Sequence, residues 1–345
     1  MNTKKVPVIH QTDLFHCPAD PDDHWDLACQ YALSYSGDID LKGILIDYCY
    51  DEAHTRPDIG DPAVIAVNQL NYLTGQFVPT AIGHKTQLYS DADVQKVSAA
   101  KPLNSGVAMV LHLLETAEEP VVLHIVGSCR DIAIASMMRP DLFREKCKAL
   151  YLNAGSGLEN QLEWNVHLDP YSYSKMFQLP CPLYWMPCFH EWFTSGEMFI
   201  GTYGTFYKFQ QKEILPHISE TMQKFFNYAL GGVIDDRWLR YLDKPVDEKI
   251  SADLGEKYRN MWCTAGFLHT AGKTVTVDGE IVDLGTEGIS PVFDFIPIDA
   301  TCNADGRVNW QEVSSSNQHI FKVLDVEKYQ AAMTKALKTL VAQLP

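Results

Sequence analysis

Five aspartates, Asp13, Asp20, Asp22, Asp23 and Asp26, fall within the 17 residues TDLFHCPADPDDHWDLA, positions 12–28. They sit where an apolar run, Val6 to Gln11, gives way to a helical pattern. Part of the cluster has a local use. Asp20 reads as a helix N-cap, Pro21 as the first helical residue, and Asp22 and Asp23 as acidic groups opposing the positive end of the helix dipole. Capping does not explain Asp13, which ends the preceding strand. Carboxylates that converge without a Lys or Arg beside them repel, unless a proton or a cation lies between them. A hard cation with oxygen ligands, Ca²⁺ or Mg²⁺, answers that need. On spacing alone, capping and cation binding both stay open.

The elements that must position these groups follow from the hydrophobic pattern. Short apolar runs recur at Val6 to Gln11, Gly43 to Asp47, Val78 to Gly83, Val121 to Gly127, Ala149 to Gly155 and Leu183 to Pro187. Helical stretches lie between them, at Trp25 to Ser36, Asp61 to Thr74, Ser105 to Thr116, Asp131 to Met138 and Pro170 to Phe177. Strands alternating with helices predict an α/β fold: a mostly parallel central sheet with flanking helices. Residues 189–260 are less regular, apart from an amphipathic helix near 218–230. Extra β-hairpins are expected over 273–312, turning at Asp278-Gly279 and Asp305-Gly306. A final helix runs from Val326 to Leu344, and residues 1–345 read as one domain. In such a sheet, ligands bind beyond the carboxyl ends of the strands. That edge holds Asp13, Asp47, Gly83, Ser128 to Arg130, Asn153 and Pro187 to Cys188.

The bulk properties narrow the partners. A formal net charge of −16 and 46% hydrophobic residues suit a globular protein and exclude the basic footprint that nucleic acid requires. No apolar run reaches membrane-spanning length. Nine cysteines without a C-x-x-C pair read as reduced, mostly buried thiols. No histidine spacing suggests zinc. Residues 301–312 imitate an EF-hand loop, but Thr301 stands at its first position and a strand pattern precedes it, so a hairpin is expected. The N-terminus carries no signal-peptide core, which predicts a cytoplasmic protein, or an exported one whose signal lies outside this sequence.

Asp13, followed by Asp20-Pro21-Asp22-Asp23, resembles the Asp-x-Asp-Pro-Gly-x-Asp-Asp opening of the inosine–uridine-preferring nucleoside hydrolases, with a longer loop and no glycine. Four segments agree in order: LKGILIDYCYD, LHIVGSCRDIAIA, EWNVHLDPYS at 163–172 and PVFDFIPI at 291–298. Together they resemble a divergent branch of that superfamily. The resemblance implies a Ca²⁺-dependent hydrolase that cleaves the N-glycosidic bond of a nucleoside or related N-riboside. The cation would hold ribose hydroxyls and acidify the attacking water. Asp13, Asp23 and Asp294 are then side-chain ligands, with the main-chain carbonyl of Arg130, or of Cys129, as a further one. Asp13 is also the general base. Asp22, Glu163 and Asn165 would bind the ribose; for the last two, turn bonding ahead of Asp169-Pro170 is the alternative. Asp51, beside Tyr50, stands near the position of a sugar-binding asparagine, and a solvated loop is its alternative. Trp185, His190, Trp192 and Tyr203 fall where the base would stack, though aromatics there also suit a core. Phe293 occupies the place of a histidine that would protonate the departing base; His190 and His269 are candidate substitutes. A homodimer or homotetramer is expected. The rival readings are a non-catalytic nucleoside- or sugar-binding protein of the same fold, and a hydrolase of another bond at the same cation.

Overall fold

The computed structural model describes residues 5–14, 20–47, 62–158, 162–189 and 199–345. The six apolar runs become β1 (Val6–Thr12), β2 (Ile39–Ile46), β3 (Thr80–Ile82), β4 (Val121–Ile125), β5 (Cys147–Leu152) and β6 (Leu183–Trp185). Two further strands, β7 (Tyr207–Gln210) and β8 (Tyr258–Met261), pair antiparallel in the stretch that looked irregular. A hairpin of β9 (Lys273–Val275) and β10 (Ile281–Asp283) follows, then β11 (Phe293–Cys302), β12 (Val308–Glu312) and β13 (Gln318–Val323).

The main sheet has the order β12-β11-β13-β6-β5-β4-β1-β2-β3. It is parallel from β13 to β3, and β11 is antiparallel to both of its neighbours. The central strands are buried on both faces, which is why they read as unbroken apolar runs; all five residues of β4, VVLHI, are buried. Successive side chains serve opposite layers. Val8 packs with the helices Pro21–Ser36, Glu220–Leu230 and Val326–Val341, and Ile9 with the helices Ser105–Thr116, Arg130–Met138 and Pro170–Met176. Both predicted hairpin turns form, with Gly279 at φ 79° and Gly306 at φ 84°. The second, closed by Asn303 N–H on the Arg307 carbonyl at 2.9 Å, uses up the EF-hand-like residues. No helix among the described residues is long and apolar enough to cross a membrane, and the described cysteines are free thiols.

One row of rings crosses the sheet in register: His10, His124, Tyr151, Tyr184 and His319. The helix Thr264–Thr270 covers it with Phe267 and His269. His124 is satisfied by Gln30 Nε2 at 2.8 Å and Thr270 Oγ1 at 2.7 Å, whereas neither ring nitrogen of His10 has a partner. Burial holds the His10 imidazole neutral, down to about 3 from an ordinary 6.5. The unfolded chain protonates this ring near 6.5 and the folded chain does not. Folding stability therefore falls as pH drops from 6.5 toward about 3, by about 1.4 kcal/mol per pH unit for this one group. His10→Leu is expected to remove that share of the acid slope without loss of stability at neutral pH, as checked by urea unfolding across pH 4–7.

Candidate active site

Asp13 is held at the end of β1 by its neighbours. Its backbone N–H donates to Asp23 Oδ2 at 2.9 Å, and the Thr12 hydroxyl donates to the same oxygen. Gly127, at the end of β4, lies so close that an added Cβ would stand 3.1 Å from the Asp13 Cβ. The Pro21–Ser36 helix brings the remaining aspartates. Asp20 is its N-cap, accepting the Asp22 N–H at 3.3 Å, and Pro21 opens it as the sequence predicts. Carboxylate oxygens of Asp13, Asp20 and Asp23 lie within 4.8 Å of one another, as do those of Asp22, Asp23 and Asp26.

Burial and mutual repulsion act together on these groups. Asp13 is pushed well above the usual carboxylate range by burial, then by the charges of Asp23, Asp20 and Asp47. Burial, then Asp20, pushes Asp23 up to about 7, against the hydrogen bonds from Asp13 and Thr12. Burial, then Asp20, raises Asp22. Asp26 lies deepest, with no exposed surface, and neither oxygen has a hydrogen-bond partner. Burial, then Asp23, raises it, while the Cys263 thiol beside it eases its charged form. Cys263 caps the Thr264–Thr270 helix and donates to Asn153 Oδ1 at 2.7 Å. The donor set is all hard oxygen at Asp13, Asp20 and Asp23, and it lacks a cation within its own group. It fits Ca²⁺ or Mg²⁺.

A second side of the edge is polar without clustered charge. Glu163 accepts the backbone N–H groups of Gly155 and Asn165, each at 2.9 Å, and so folds its loop onto β5. Asn165 donates to the Val126 carbonyl at 3.0 Å, which leaves its own Oδ1 without a partner. Cys188, after β6, feels the charges of Glu163, Asp22, Asp13 and Asp20, so both sides converge on one place.

No protein-family model and no curated protein sequence matches the chain. Solved structures do. An inosine–guanosine nucleoside hydrolase matches with TM-score 0.52 and 14% identity, covering 96% of this chain and 98% of that one. A plant nucleoside hydrolase, PpNRh1, matches at 0.50 and 11%, covering 97% and 99%. The type III effector XopQ, solved with adenosine diphosphate ribose, matches at 0.54 and 12%, covering 99% and 96%. The chain has a nucleoside-hydrolase-like fold.

Within this nucleoside-hydrolase-like chain, the residues singled out from the sequence separate. Asp13, Asp22 and Asp23 come together, with Glu163 and Asn165 across from them. Asp20, expected only to cap, joins the carboxylate group. Asp294 does not: it is exposed on β11, opposite Lys322 of β13, because β11 alternates and turns this position outward. Phe293 is buried against Phe295 and Phe321 in the core, so it is no gap in a catalytic set. The Arg130 carbonyl belongs to the first residue of a helix, and helical carbonyls point toward the helix C-terminus, away from the strand ends. The Cys129 carbonyl accepts the Ala133 N–H at 2.9 Å. Trp185 is core, donating to the Ala154 carbonyl at 2.9 Å, and Tyr203 packs on Trp310 beside Glu312. His269 bonds Tyr151 at 2.7 Å within the ring row on the sheet face. Asp51, His190, Tyr50 and Trp192 lie outside the described residues. Arg259, Trp262 and Cys263 escaped the sequence reading; the one visible signal was the apolar Met261-Trp262-Cys263 run before a helix.

The side chain of Arg130 has a structural task. It is buried between Asp47 at 3.7 Å and Asp169 at 3.6 Å and donates to the His84 carbonyl at 3.1 Å. It thereby ties the loops after β2, β3 and β5 together. Arg130→Met strands two buried carboxylates and is expected to cost about 3–5 kcal/mol, read as a lowered urea midpoint.

Proposed function

We propose that the chain is a Ca²⁺-dependent hydrolase of the N-glycosidic bond in nucleosides or related N-ribosides. The observation that carries this reading is the meeting of Asp13, Asp20 and Asp23 at the carboxyl edge of a nucleoside-hydrolase-like sheet. Those three carboxylates would hold the cation. When bound, it supplies oxygen coordination for a sugar diol and a positive charge that acidifies a neighbouring water.

The chain's own residues supply the rest. Asp13 takes the proton of the attacking water; its position is fixed by the backbone bond to Asp23 and by contact with Gly127. The free Oδ1 of Asn165 accepts a ribose hydroxyl while its amide nitrogen stays anchored to Val126. Glu163 serves first as the clamp of that loop, since both its oxygens hold backbone N–H groups. Half-buried Asp22 completes the hydroxyl contacts. A sugar-binding protein without turnover is the second reading, favoured by the likeness to an effector solved with adenosine diphosphate ribose.

Purified protein is expected to take up about one Ca²⁺ per chain and to melt at higher temperature when Ca²⁺ is added. Asp13→Asn removes a repelling charge, so it should melt no lower than wild type in chelator. It should nevertheless lose at least about 10²-fold in release of reducing sugar from a nucleoside panel. Absence of any Ca²⁺-dependent shift would sink the cation, and sugar binding without turnover would leave the second reading standing.

A further inference from the structure

The amino edge of the sheet, opposite the carboxylates, holds two thiols that the fold brings face to face. Cys147 opens β5, and Cys181 stands two residues before β6. These strands are parallel neighbours with Leu150 beside Leu183, and the Leu150 N–H bonds to the Pro182 carbonyl at 2.9 Å. The cysteines are therefore one residue out of register. A strand spacing of about 4.8 Å and a rise of about 3.3 Å put their Cα atoms about 6 Å apart, within the span that disulfides bridge. The two Sγ atoms lie 3.2 Å apart, and both thiols are free. Pro180 and Pro182 flank Cys181 and restrict the backbone on either side of it, so its thiol is held on a stiff segment. The pair is asymmetric. Cys147 donates its S–H to the Cys181 sulfur. That hydrogen bond, then burial, pushes the Cys147 thiol well up. Donation of this kind favours negative charge on the accepting sulfur. Cys181 is also the more open of the two, 9% exposed against 6%, so a small oxidant meets it first.

We propose that Cys147 and Cys181 form a reversible oxidation site, closed to a disulfide by a peroxide and reopened by a dithiol. The Cys181 sulfur, as thiolate, attacks one peroxide oxygen. The O–O bond breaks, Cys181 becomes a sulfenic acid, and the hydroxide that leaves takes up the thiol's proton as water. The Cys147 sulfur then attacks the sulfenic sulfur. The S–O bond breaks, and the hydroxyl departs as a second water with the Cys147 proton. The two sulfurs together lose two electrons, which the peroxide gains. The bond would join the ends of the segment that carries Asn153, Glu163 and Asn165, at the sheet edge remote from them. Its effect falls on unfolding, because it ties together in the unfolded chain two points that are already adjacent in the folded one. This role is independent of the hydrolase reading.

The test treats the full chain with hydrogen peroxide and maps its peptides by mass spectrometry without reduction. The expected product is an intramolecular link between Cys147 and Cys181, opened again by dithiothreitol. The linked protein should melt at least about 3 °C above the reduced protein. Dimedone, which traps sulfenic acid, should label Cys181 in Cys147→Ala and leave Cys147 unlabelled in Cys181→Ala. Links that join other cysteines instead, or peroxide treatment that leaves both thiols free, would overturn the proposal. So would a link that dithiothreitol does not open, or one that leaves the melting temperature unchanged. Dimedone on Cys147 in Cys181→Ala would overturn the order of attack. The map of the wild-type protein decides the site even if neither variant folds.

Discussion

Like-charge repulsion among buried carboxylates is the constraint around which this molecule is arranged. Asp13, Asp23 and Asp26 are all nearly or wholly buried, and Asp20 and Asp22 stand beside them. A carboxylate away from water is stable only if it is protonated, hydrogen-bonded or paired. The chain provides limited relief. Thr12 and the Asp13 N–H serve Asp23 and the start of the helix serves Asp20, while both oxygens of Asp26 go without a partner. Arg259 lends positive charge from β8 without making an ion pair. The relief is incomplete, and the groups retain protons above the ordinary carboxylate range. On the proposed reading, a divalent cation would replace those protons, and the relief of repulsion would add to its affinity.

The same edge shows how a fully relieved arrangement looks. Asp47 receives the Ser128 N–H and hydroxyl, each at 2.9 Å, and Asp169 receives the N–H groups of Leu88 and Ser172 at 2.8 Å. Arg130 lies between these two carboxylates. Both acids are thus satisfied by the protein alone and have no need of an external cation. Two acid groups a few residues from each other in the fold therefore have different chemistry, set by whether a guanidinium reaches them.

The scaffold was legible because parallel strands covered on both faces leave a strong trace in sequence. Every run from Val6 to Pro187 became a strand, and Ser105–Thr116 was placed without error. The opening motif was legible because Asp20-Pro21 is a local signal. What could not be read was long-range. No local signal brings β8 to the aspartates. The helix after it, Thr264–Thr270, contains Thr and Gly, poor helix formers. It is held by packing: a Cβ on Gly266 would lie 2.4 Å from Met186 Sδ. Asp294 failed for the opposite reason. Its segment looked right in one dimension, but a strand turns alternate residues outward, and the odd member, Phe293, took the core. Arg130 was read as backbone because a turn motif hides which part of a residue does the work.

Fold likeness at 11–14% identity settles the sheet and leaves the chemistry to individual side chains. The field at this edge restricts what those side chains can accept. Five aspartates crowd one end of the sheet in a chain of net charge −16, and Arg259 lends them positive charge. Such a field concentrates cations and tolerates neutral polyols, and it repels phosphate esters unless a bound cation screens them. On the proposed reading, a neutral nucleoside would enter with its diol toward the carboxylates at little electrostatic cost. A phosphorylated riboside would have to direct its charge toward Arg259, where Asp20 and Asp22 already claim most of the positive field. On the proposed reading, the acidic cluster that would hold a cation would also favour a neutral substrate, and ligand charge and cation occupancy would be linked properties of the same few residues.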